Sequence, residues 1–210
     1  MKNAPAKRPR RYLRSRITRK LILDTAQEVF LSEGYSKTTI SKISERANVG
    51  YGTVYSHFKG KDDILNKVVD SVLDDFYTYA DIEFAPESFQ EARKVFNDLM
   101  KTCFTLADKH RPIMKVYQEA LGQSEQIKAH WYAVKQHFIN SAARSIKFAQ
   151  DAGLAKKFDY QLGAKAYFLL IERFIWEVVN EDETDIERLS NVLTDLVFQG
   201  FFISPNEQQG

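Results

Sequence analysis

The sequence has little of what marks secreted, metal-clustered or loop-built proteins. A single cysteine, Cys103, excludes an intramolecular disulfide and any multi-cysteine zinc or iron–sulfur site. Nine glycines and five prolines in 210 residues are too few for collagen, long flexible linkers or a turn-rich β architecture. No apolar run reaches the roughly 18 residues of a membrane span. The basic N-terminus lacks the apolar stretch of a secretory signal. Alternating strand patterns and internal repeats are also missing. There is no Walker loop, no nucleophile elbow and no HExxH, and Gly50-Tyr51-Gly52 follows no strand, so it is not a dinucleotide fingerprint. His130 and His137 stand seven apart, as do Cys103 and His110, too far for ligation from adjacent helical turns. These absences exclude the common enzyme classes and imply no cofactor and no metal. The expectation is a cytoplasmic protein that is not an enzyme.

What is present begins with charge. Residues 1–20 carry nine basic side chains, namely Lys2, Lys7, Arg8, Arg10, Arg11, Arg14, Arg16, Arg19 and Lys20, and no acid. The whole chain is +2, so the remaining residues sum to 2 − 9 = −7. A basic arm over residues 1–15 on an acidic body points to a polyanion at one end. A solvated, flexible tail is the alternative at this point.

Helical periodicity runs through the rest. Leu21, Ile22, Ala26, Val29 and Phe30 form one apolar stripe, which predicts a helix from about Arg16 to Glu33, stopped by Gly34. Thr38-Thr39 precede a short helix bearing Ile40, Ile43 and Ala47, with Thr39 as a plausible N-cap. Asn48-Val49-Gly50 form a tight turn, and Val54 and Phe58 mark a third helix from about Tyr51 to His57. A longer amphipathic helix spans about Lys61 to Asp81, followed by a linker from Glu83 to Ser88. Further helices carry Phe89 to Ala107, Ile113 to Leu121, Ile127 to Ile146, Asp159 to Asn180 and Ile186 to Phe202. The fold class is therefore all-α, with about nine helices.

Two short helices joined by a tight turn and braced by a first helix describe a helix-turn-helix, over about residues 39–58. In that motif the last helix enters the major groove by its N-terminal part, so its outer face must not be acidic. No acid occurs from Asn48 through Lys61. With Val54 and Phe58 facing inward, Tyr51, Thr53, Tyr55 and His57 remain as contact groups. Gly50 and Gly52 allow close backbone approach to phosphate. Thr39 offers a hydroxyl and a backbone N–H at a helix start, and Lys61 adds a charge. Tyr55 can also bury its ring while exposing its hydroxyl.

Residues 16–76 resemble the N-terminal DNA-binding domain of the TetR family of bacterial repressors. The matching elements are Ala26, Phe30, Gly34-Tyr35 and Thr38-Thr39, then Ile43 and Ala47-Asn48-Val49, then Gly52-Thr53-Val54-Tyr55, His57-Phe58, Lys61 and Leu65. The resemblance implies a three-helix unit followed by a larger helical domain, 77–210, for effector binding and dimerisation. It implies a homodimer on a palindromic operator, with DNA contacts at Thr39, Gly50, Tyr51, Gly52, Thr53, Tyr55, His57 and Lys61. Tyr51 falls at the variable, base-reading position. Members of the family commonly carry Ser where Gly50 stands, so here only a backbone contact remains at that place.

The segment from Asp159 to Asn180 is apolar on more than one side, which fits pairing with a second copy through the last two helices, about 159–202. Burial inside one protomer is the competing reading. The resemblance places a small-molecule effector among the middle helices, a usual place for such sites. Candidate lining residues are Phe104, Tyr117, Trp131, Tyr132, Phe138, Phe168 and Trp176, with Glu119, Glu172 or Arg173 as a polar anchor. An aromatic set with few charges favours an apolar or amphipathic ligand. A repressor released by its ligand is the expectation; a transcriptional activator, or a helical partner-binding protein without an effector, is the alternative.

Overall fold

A computed structural model describes residues 8–201. The described residues form helices and no strand: α1 Arg8–Lys37, α2 Ile40–Arg46, α3 Tyr51–His57, α4 Lys61–Ala80, α5 Phe89–Lys109, α6 Arg111–Leu121, α7 Glu125–Asp151, α8 Tyr160–Asn180 and α9 Ile186–Phe201. The basic segment differs most from expectation. Helix begins at Arg8, not near Arg16, because arginine and leucine are good helix formers even where no apolar stripe exists. Residues 1–7 lie outside the described part.

The stops follow local chemistry. Gly34 takes φ +76°, which breaks the helical run of α1 where an L side chain would be strained. Thr39 caps α2, its hydroxyl accepting from the Lys42 N–H at 3.3 Å. Asn48, at φ 49°, supplies the left-handed residue of the turn between α2 and α3. Gly153, at φ 73°, follows the end of α7, and Asp159 caps α8 by accepting from the Gln161 and Leu162 amides.

The chain forms two compact units. The first comprises residues up to Ser71 together with Val116–Ile127; the second comprises Val72–Lys115 and everything from Lys128 onward. The division therefore falls within α4, earlier than the boundary after residue 76, and the end of α6 joins the first unit. Polar bonds explain that assignment. The Tyr117 hydroxyl donates to Asn66 at 3.4 Å, and the Ser124 hydroxyl donates to Asp62 at 2.6 Å.

In the first unit, Ile22, Ala26, Phe30, Ile43, Val54, Ile64 and Leu65 are fully buried. Removing such side chains from water is the main force that closes α1, α2, α3 and the start of α4 into one body. Arg19 lies over the Phe58 ring at 4.9 Å, tying α1 to the end of α3. In the second unit, α5 packs against α8 and α9. Ala92, Ala149, Leu154, Ala155, Val197 and Phe198 form one core cluster there, with Phe89 and Phe96 packed against it. Asn97 donates to both Asn191 and Thr194 at 3.0 Å, which fixes α5 on α9.

Candidate nucleic-acid interface and effector cavity

The α2–turn–α3 element presents one consistent face. Val54 and Phe58 are buried, while Tyr51 and Tyr55 are 53% and 47% exposed. Gly50 precedes α3 as its N-cap, with no side chain in the way, and Gly52 has open space around it. The two tyrosines are one helical turn apart and face each other. Their rings lie 5.0 Å apart and their hydroxyl oxygens 3.3 Å apart. The Tyr51 hydroxyl holds the Tyr55 phenol above its ordinary pKa, so Tyr55 remains a neutral donor. Thr53 and His57 are half-buried, and Thr39 is exposed. Gly50, Tyr51, Gly52, Thr53, Tyr55 and His57 thus lie in or at the start of α3, while Thr39 stands at the start of α2.

Lys61 is placed differently from a free phosphate clamp. Its ammonium donates to the carbonyls of Tyr35 at 2.9 Å and Thr38 at 3.3 Å, and lies 4.0 Å from the Tyr35 ring centroid. Two of its three protons serve the end of α1. Tyr35 is itself pinned. Its hydroxyl donates to Asp62 at 2.7 Å, and burial followed by that carboxylate pushes its phenol up to about 12. The Glu119 carboxylate accepts from the Tyr35 N–H at 2.9 Å, the Ser36 N–H at 3.1 Å and the Ser36 hydroxyl. These bonds, the Ser36 hydroxyl first, hold Glu119 below the usual carboxylate range. Sequence reasoning missed this cluster; Gly34 before a buried tyrosine was the only local hint.

The second unit contains a partly open cavity of about 150 Å³. Trp131, Phe138 and Phe168, three of the seven aromatic candidates, line it. The other aromatic candidates stand elsewhere. Tyr132 is 63% exposed, because it lies on the outer face of α7. Tyr117 is fully buried in the first unit beside Asn66. Phe104 is fully buried core and is not in the lining. Trp176 is half-buried and not in the lining, its ring 5.4 Å from that of Trp131. Of the three anchor candidates only Glu172 reaches the cavity; Glu119 holds the end of α1, and Arg173 points outward toward Glu177. The lining that spacing did not single out includes Met100, Cys103, Met114 and Tyr167. The Cys103 thiol is shut away from bulk water, its accessible surface being cavity wall, and burial pushes it up to about 12. It is therefore a neutral, unreactive wall group at physiological pH.

An exposed, acid-free third helix in one unit and an apolar cavity in the other are the parts expected of a helix-turn-helix regulator of transcription. Residues 22–68 match the family of bacterial regulatory proteins of the tetR type, and residues 96–200 match the C-terminal domain of the transcriptional regulator EthR. The chain belongs to the TetR family of transcriptional regulators. It is 27% identical to the fatty acid metabolism regulator protein of Bacillus subtilis, over 85% of this chain and 93% of that one. It is 26% identical to the HTH-type transcriptional regulator YhgD of the same organism, over 87% and 95%. SmeT, the repressor of a Stenotrophomonas maltophilia multidrug efflux pump, shares the fold in its complex with triclosan. That likeness has a TM-score of 0.70 and 21% identity, and covers 90% of this chain and 93% of SmeT. No helix among the described residues is long and apolar enough to cross a membrane.

Proposed function

We propose that this protein is a ligand-responsive repressor that binds a palindromic operator as a homodimer and is released by a small apolar or amphipathic effector. The observation that carries the reading is the exposed tyrosine pair on α3, in a stretch free of acid from Asn48 through Lys61. Tyr51 and Tyr55 offer hydroxyls to base edges, while Thr39, Thr53, His57 and the backbone at Gly50 and Gly52 serve phosphates. Lys61 adds its remaining proton and its charge.

One such unit reads only a few base pairs, so two copies must sit about 34 Å apart, or a multiple of that, to meet successive major grooves. Exposed Leu162, Leu169 and Leu170 on α8, with Val192 and Leu196 on α9, support pairing through those helices. The basic N-terminal arm adds phosphate contacts beside the operator. The effector occupies the apolar cavity. The Bacillus subtilis relative regulates fatty acid metabolism and SmeT takes triclosan, and both fit an apolar ligand class. Release requires that the ligand favour the DNA-free arrangement over the DNA-bound one. α4 passes through both units and is the segment that carries this coupling.

The test uses the full chain and a duplex selected from a random pool, followed by fluorescence anisotropy. Tyr51→Ala, which removes an exposed side chain, should weaken binding by tenfold or more while leaving the melting temperature unchanged, consistent with about 1–3 kcal/mol per base contact. Unchanged affinity in that variant would overturn the assignment of α3 as the reading helix.

A further inference from the structure

The cavity in the second unit is chemically lopsided. Its wall is aliphatic, aromatic and sulfur-bearing, with two serines, Ser141 and Ser145. Glu172 is the only Asp, Glu, Lys, Arg or His side chain among the described lining residues. It is well enclosed, with its side chain 13% exposed. Two groups on α7, one helical turn apart, hold it in place. The Trp131 indole N–H donates to Oε1 at 2.7 Å, and the Lys135 ammonium lies 3.5 Å from Oε2. A carboxylate offers about four acceptor positions. The indole takes one, and the lysine stands at ion-pair rather than hydrogen-bond distance. The cavity therefore ends on acceptor capacity, and no cation lines it among the described residues.

We propose that the effector is an apolar body carrying one hydrogen-bond donor, a hydroxyl or an amine, that meets Glu172, and that the cavity discriminates against a carboxylate head. An incoming carboxylate would lie beside Glu172 with no lining cation of its own, and like charges in an enclosed site repel strongly. A donor head meets oxygen atoms already fixed by Trp131 and Lys135, so little ordering is required on binding. The size agrees with a compact ligand, since a cavity of about 150 Å³ elsewhere holds a single benzene ring. This inference rests on the effector reading of the cavity and adds the head-group chemistry to it.

The protein carries its own probe, because its two tryptophans are Trp131 and Trp176, one donating to Glu172 and the other packed against the first. Intrinsic fluorescence and thermal shift of the full chain are titrated near neutral pH with n-octanol, octylamine and octanoate. The expected result is that octanol and octylamine both bind at least about tenfold more tightly than octanoate, the scale of a like-charge penalty. Glu172→Gln keeps an acceptor for the indole and removes the charge, so the preference for octanol over octanoate should shrink toward unity. Lys135→Met leaves the Glu172 charge unbalanced and should raise the preference for octylamine over octanol. Octanoate binding as tightly as octanol to the wild-type chain, or a preference that Glu172→Gln leaves unchanged, overturns the head-group inference alone. Failure of all three probes to shift either fluorescence or melting overturns the effector reading of the cavity, and this inference with it.

Discussion

Replacing Glu119 tests how the end of α1 is held. Gly34 breaks the helix at φ +76°, and the next two amides turn toward one carboxylate. That carboxylate accepts from the Tyr35 N–H, the Ser36 N–H and the Ser36 hydroxyl, 83 and 84 positions away in sequence. Hydrogen bonds to a charged group contribute about 1.5–3 kcal/mol each when well shielded. Ser36 is exposed, so water replaces part of its share in the variant. Only the Tyr35 bond keeps its full value, and Glu119→Ala should cost about 2 kcal/mol, with Glu119→Gln near half of that. Urea unfolding of the full chain near neutral pH measures the loss. The pH dependence gives a second reading. Glu119 is depressed below its ordinary 4.5 in the folded state, so its contribution is complete above that value and is lost as pH falls through the lower folded value. Wild-type stability should therefore fall more steeply on the acid side than that of Glu119→Gln. A Glu119→Ala variant within about 0.5 kcal/mol of wild type, with the same acid slope, would refute the role assigned to this carboxylate.

Three further outcomes follow from the same geometry. Gly34→Ala places a side chain at positive φ, with its Cβ 3.0 Å from the Glu119 Oε2, and should lower stability by about 2 kcal/mol in thermal melts; Gly34→Asn, which tolerates that backbone, should cost less. Leu169→Glu combined with Leu196→Glu charges the exposed apolar face of α8 and α9; sedimentation should show a monomer that keeps its helical signal and no longer binds operator. Deleting residues 1–15 removes six basic side chains, and should weaken operator binding and flatten its salt dependence, by up to about 0.9 in log–log slope for each phosphate no longer neutralised; an unchanged slope would mean that the arm does not touch DNA.

The helix-turn-helix was legible because its signals are local. Thr39 caps its own helix, Asn48 and Gly50 turn the chain, and Val54 and Phe58 set the buried face within seven residues. Those features give α3 its bounds at Tyr51 and His57, as the pattern predicts. Helical spacing could not separate cavity wall from plain core. Phe104 and Met100 share a helix and a face, yet only Met100 lines the cavity. Tyr117 reads as one more aromatic in an apolar stripe, but its hydroxyl finds Asn66 across 51 positions. Glu119 is the clearest case. It reads as a pocket anchor because it lies near aromatic residues in sequence, whereas its partners, Tyr35 and Ser36, carry no periodic signal linking them to it. The start of α1 at Arg8 was hidden for another reason. Residues 12–17 are all exposed, so the amphipathic pattern that marks the other helices is absent there.

The central claim is that α3 reads a duplex twice per assembly. Selection of bound fragments from a random duplex pool by the full-length protein tests it most directly. The account predicts inverted repeats whose half-site centres lie about 10 base pairs, or a multiple, apart, and which Tyr51→Ala no longer enriches. Fragments without inverted symmetry, or an identical set enriched by Tyr51→Ala, would contradict it.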